Sequence, residues 1–188
     1  MVFDRPTGPD DLGPWLESGG AALVAVLRTA DADDAMWAWG PQQSVRFWSR
    51  RQLHETAIHR VDLAQAGSVP AQLEPVVAHD SILELVDFLP HAVVFLPEVE
   101  QLRGNGETIG LRATDLAGVG TITLTPDGFT FARAADAPTV EDADAALVGP
   151  VSELALVISR RRELDSARVE LRGRRDLVEH WIAHSALL

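Results

Sequence analysis

Arg50-Arg51-Gln52-Leu53-His54-Glu55-Thr56-Ala57-Ile58-His59-Arg60-Val61-Asp62 is the stretch where ionisable side chains fall at a spacing that suggests chemistry. In a helix each residue advances by about 100°. Glu55 and His59, four apart, therefore stand on one face, a turn above one another. Asp62 continues the stripe toward the C-terminus, and Arg51 joins it from the other end. His54, although next to Glu55 in sequence, points well away. The order differs from the metalloprotease motif, in which two histidines four apart bind zinc. Here the pair with the right spacing is a carboxylate and an imidazole, a donor set that suits zinc or a similar divalent cation. Two ligands fall short of the three that a catalytic zinc usually has. On geometry alone the stripe reads first as a solvated face with an Arg51–Glu55 ion pair, worth a few tenths of a kcal/mol.

Composition narrows the classes. Of the 188 residues, 46% are hydrophobic, which supports a packed core and argues against disorder. The longest apolar run, Ala21 to Leu27, is too short to span a bilayer. The start, Met1-Val2-Phe3-Asp4-Arg5-Pro6, lacks the basic and apolar regions of a signal peptide, so a cytoplasmic protein is expected. A net charge of −12 disfavours nucleic acid, whose phosphates need clustered cations. There is no Cys, which excludes structural disulfides, thiolate metal sites and thiol catalysis by the protein. All 16 basic residues are Arg, and with abundant Ala and Asp this suggests a high-GC bacterial coding bias.

Outward from the stripe, the N-terminal third reads as helical. Leu12 to Thr29 has an apolar helical pattern, and Asp31 to Asp34 follows as an acidic turn. Trp37, Trp39 and Trp48 gather around Gly40-Pro41 as packing residues. The opening stretch belongs to a helix from about Gln42 to Ala66, stopped by Gly67. A linker over 67–75 leads to a helix from about Val76 to Leu96, interrupted near Pro90. The periodicity then changes to strands over 107–115, 120–125, 129–134, 143–148 and 167–171. Pro126-Asp127-Gly128 forms a hairpin turn, and helices are expected over 150–160 and 176–186. Helices first and mixed elements after give an α+β chain, with a helical region over 1–75 and a second domain over 76–188. His180 and His184 share the i, i+4 spacing without an accompanying carboxylate. No GxGxxG, P-loop or GxSxG motif is present.

The segment Phe47 to Asp62 resembles the signature of the mycothiol-dependent maleylpyruvate isomerase family. Trp37-Ala38-Trp39-Gly40 upstream and Asp80-Ser81-Ile82-Leu83-Glu84-Leu85 downstream fit it, as do Leu111 to Asp115 and Val148 to Leu154. The resemblance implies a DinB-like helical bundle followed by a small sterol-carrier-like α/β sandwich domain. It places two ligands of a divalent metal, typically zinc, on Glu55 and His59, and mycothiol as the cosubstrate thiol. It implies an isomerase or thiol transferase acting on an electrophilic small molecule. Asp62 would orient His59 from behind. Arg133 is a candidate contact for a cosubstrate anion, or else an exposed strand arginine. The family's third ligand is a histidine well before the tryptophan segment, and no histidine precedes His54. The expectation is therefore a partial bundle with an incomplete site. The alternative is a non-catalytic binding or interaction module that retains the C-terminal domain. On either reading a homodimer through exposed bundle faces is expected, with no nucleic-acid or membrane partner.

Overall fold

The computed structural model describes residues 6–135 and 140–185. It divides between Gln52 and Leu53 into two compact units. The first holds a short 3-10 turn, Pro9–Asp11, and the helix α1, Leu12–Thr29. Ala30 turns extended and closes α1 by donating its N–H to the Val26 carbonyl. The acidic turn after it is organised by its own carboxylates. Asp33 N–H donates to Asp31 Oδ1 at 3.0 Å, and Asp31 N–H to Asp34 Oδ2 at 3.2 Å. An isolated bridge, Ala35 to Ser44, then leads to the helix α2, Val45–Ala66. Around the bridge Trp39 meets Trp37 and Trp48 at 5.3 Å, and Trp48 Nε1 donates to the Trp37 carbonyl at 2.7 Å. Tilted and edge-on contacts of this kind are the preferred aromatic geometry.

The second unit begins within α2. It contains α3 (Pro75–Phe88), strands β1 (Thr108–Ala113), β2 (Val119–Thr125), β3 (Gly128–Arg133) and β4 (Ala145–Gly149), helix α4 (Val151–Ile158), strand β5 (Glu170–Gly173) and helix α5 (Arg175–Ser185). Pro75 opens α3 at a position where a missing N–H costs nothing. That helix stops at Phe88, and Leu89–His91 continues as a 3-10 turn containing Pro90.

The five strands form one mixed sheet in the order β3-β2-β1-β4-β5. β1 pairs antiparallel with β2 and parallel with β4, Leu111 lying opposite Gly120 on one side and Leu147 on the other. β2 and β3 make the expected hairpin around Pro126-Asp127, and Gly128 has a φ of 144°, outside the range of ordinary side chains. Helices, then a mixed sheet with helices, are the α+β class that the periodicity implied.

The core lies in this unit. Ile109, Leu111, Ile122, Leu124 and Leu147 from the sheet meet Ile82 and Val86 of α3, Leu154 and Leu156 of α4, and Trp181 of α5. Each such side chain contributes about 1.5–3 kcal/mol on full burial. Val61 of α2 is completely buried in the same cluster, and Ala57 and Ile58 pack against it. The second half of α2 is therefore fixed to the sheet unit by the face opposite its polar stripe. Among the described residues no helix is long and apolar enough to cross a membrane.

Candidate functional site

Helical spacing on α2 brings Glu55, His59 and Asp62 together. His59 Nε2 lies 3.2 Å from Glu55 Oε2, and its Nδ1 lies 3.0 Å from Asp62 Oδ2. Asp62 is in turn gripped by Arg161, whose Nε donates to Oδ1 at 3.1 Å and whose Nη2 donates to Oδ2 at 3.3 Å. Arg161 itself is 15% exposed and also donates Nη1 to the Ser159 carbonyl at 2.8 Å. The result is a relay of four side chains, Glu55–His59–Asp62–Arg161, running from a solvated imidazole to a half-buried guanidinium. Hydrogen bonding from Arg161 holds the Asp62 carboxyl below the usual carboxylate range, with His59 adding to the effect and burial opposing it.

This arrangement has the outline of a carboxylate–histidine pair behind a metal ligand. One ring nitrogen is anchored by Asp62, and the other faces a second carboxylate across a gap. A catalytic zinc takes three protein donors and an open position. Glu55 and His59 are two such donors on one helix face. Among the described residues no group of three or more His, Asp and Glu side chains is arranged to hold a metal ion.

His54 has a different fate. It is 2% exposed, with Nδ1 2.8 Å from Glu84 Oε2 and Nε2 3.1 Å from Asp80 Oδ2, both on α3. The helical projection that turns His54 away from Glu55 and His59 turns it into the α2–α3 contact. This buried cluster is not evident from α2 alone. Its trace in the sequence is the acidic pair Asp80 and Glu84, four apart on α3. Arg133 lies on β3, one of the two edge strands, with Nη2 3.3 Å from Asp87 Oδ2, and belongs to a different contact from the α2 relay. His180 and His184 are each tied to a backbone carbonyl, of Gln101 and His180 respectively, at 2.8 Å. His79 Nε2 accepts the Val119 N–H at 3.2 Å. Arg161 emerges only from the fold. In the sequence it stands within a run of three arginines that reads as a helix end, 99 residues from its partner.

Residues 2–64 match the model of the mycothiol maleylpyruvate isomerase N-terminal domain, which bears out the resemblance carried by the α2 segment. Two solved structures resemble parts of the chain. A UbiJ-SCP2 ubiquinone synthesis protein, 16% identical, covers 59% of this chain and 94% of its own, at a TM-score of 0.43. A stereoselective inverting sec-alkylsulfatase from Pseudomonas sp., 17% identical, covers 55% of this chain and 16% of its own, also at 0.43. This chain thus spans about a sixth of the sulfatase's length. No curated protein matches the chain.

Proposed function

We propose that the chain is a protein of the mycothiol maleylpyruvate isomerase type that takes up a divalent cation loosely through Glu55 and His59. Asp62 and Arg161 orient the imidazole. One observation carries this reading: both nitrogens of His59 face carboxylates, and the carboxylate behind the ring is itself clamped by a guanidinium. A purely solvated stripe has no need of that second support. The family match over residues 2–64 supports thiol-linked chemistry, with mycothiol as the cosubstrate and an electrophilic small molecule as its partner. With two donors the cation is held weakly, and the isolated chain lacks thiol-dependent isomerase activity. The anchored imidazole, kept in one orientation, is this chain's own contribution.

Isothermal titration with zinc or cobalt tests the reading. Glu55→Ala and His59→Ala should each remove the binding, and Asp62→Asn should weaken it by about 10-fold or more. His54→Ala should leave it within about threefold, because His54 belongs to a separate cluster. Equal dependence on His54 and His59 would overturn the assignment. So would a stoichiometric, tightly held zinc in the purified chain.

A second reading is an interaction module. It rests on α1, none of whose residues is buried and whose Leu16, Leu23, Val24 and Val26 are exposed. Exposed apolar faces of this extent mark interfaces. A cation-free homodimer in sedimentation and elemental analysis would favour this reading over the first.

A further inference from the structure

The segment that leaves α2 and the segment that leaves α4 flank an open pocket of about 560 Å³ within the sheet unit. Val69, Pro70 and Ala71 give it an apolar wall, with Gln65 and Gln72 at the edges. Opposite them stand Glu153, Arg162 and Arg168. Glu153 is 3% exposed, on the first turn of α4. Arg168 donates to it twice, from its backbone N–H and from Nη2, each at 3.3 Å. Arg162 is less well served. Its Nε lies 3.7 Å from Glu153 Oε2, too far for a hydrogen bond, and this shielded nitrogen has no acceptor among the described residues. One buried carboxylate thus faces two guanidiniums. In a chain of net charge −12 the pocket has a local surplus of positive charge.

We propose that this pocket binds a small organic carboxylate, its head on Arg162 and Arg168 and its apolar body along Val69, Pro70 and Ala71. A guanidinium fork matches carboxylate geometry and gains from a charged acceptor. The volume falls in the range of small-molecule sites, and an apolar wall with a few convergent polar groups is their usual lining. An inorganic oxyanion would use the guanidiniums and leave the wall bare. Neither Glu55 nor His59 lines the pocket, so the assignment stands apart from the cation reading.

Titration of the full chain with sodium benzoate at fixed ionic strength, followed by amide chemical shifts, tests the proposal. Saturable shifts at Val69, Ala71, Arg162 and Arg168 are expected. Arg162→Gln should weaken benzoate by about tenfold. Arg168→Gln should weaken it severalfold. The Arg168 side chain is 73% exposed, so this second variant decides the matter if the first is misfolded. Glu55→Ala should leave benzoate affinity within about twofold. Unchanged affinity in Arg168→Gln would reduce the cluster to a structural ion triad and overturn the proposal. Inorganic phosphate binding as tightly as benzoate would overturn the carboxylate assignment. Loss of benzoate binding in Glu55→Ala would place the ligand elsewhere and overturn the site.

Discussion

Asp62 accepts from Arg161 and faces His59, and its carboxyl titrates below its ordinary value. A carboxyl depressed by folding stabilises the native state above its unfolded pKa. It loses that contribution as pH falls through the folded value. The contribution should therefore be fully present well above pH ~4 and should fade below it. Urea midpoints of the wild type and Asp62→Asn, measured from neutral to acidic pH, should converge in that acidic window. A constant gap across the range would show that Asp62 acts only through packing. His54 calls for the opposite test. It sits between Glu84 and Asp80 and is shielded from solvent, so His54→Ala leaves two carboxylates without their neighbour and opens a cavity. The expected loss is about 3 kcal/mol in denaturant unfolding. At this scale the Glu55–His59–Asp62 stripe was legible, because helical spacing is a local property. The partners Arg161, Asp80 and Glu84 were not, because they lie outside α2, on α3 and after α4.

The first and last helices were read closely, whereas the helix expected to reach Leu96 ends at Phe88, where Pro90 breaks it. The expected Leu12–Thr29 helix is α1 as observed, and the expected closing helix over 176–186 is observed as Arg175–Ser185. The α4 end was read two residues too long. The arginine run looks like a cationic helix terminus, yet α4 stops at Ile158 and Arg160 adopts a φ of 60°. The turn is capped by Arg161 and Arg162, whose N–H groups both donate to the Leu156 carbonyl. A glycine would take up that left-handed conformation without cost. Arg160→Gly, at an exposed position, should therefore raise stability by roughly 0.5–1 kcal/mol. A lower thermal midpoint would show that the Arg160 side chain is needed in the folded state. In the sheet, Gly120 works in the other direction. A Cβ there would run into the Ala132 carbonyl, so Gly120→Val should disrupt the pairing of β2 with β3.

Across the whole chain, burial is unevenly distributed. The main cluster of buried residues begins at Val61, and α1 buries nothing. Segments with few buried contacts open locally at low cost. Limited trypsin digestion should therefore cut after the exposed Arg28 long before it cuts after Arg112 in β1, as mass spectrometry of the early fragments would reveal. Equal rates would mean that α1 is as well protected as the sheet.

The sequence by itself determined the α+β class, the order of the elements, the hairpin turn and the polar stripe on α2. Each is written in residues close together along the chain, as a period, a turn signal or a helical spacing. Only the tertiary structure decided that compactness divides between Gln52 and Leu53. The buried Val61 and the packed Ala57 and Ile58 tie the second half of α2 to the sheet unit. It alone brought Arg161 to Asp62 and set Glu153 between Arg162 and Arg168. None of these pairings follows from a helical or strand spacing, and they form because burial of the apolar core carries the polar groups along with it.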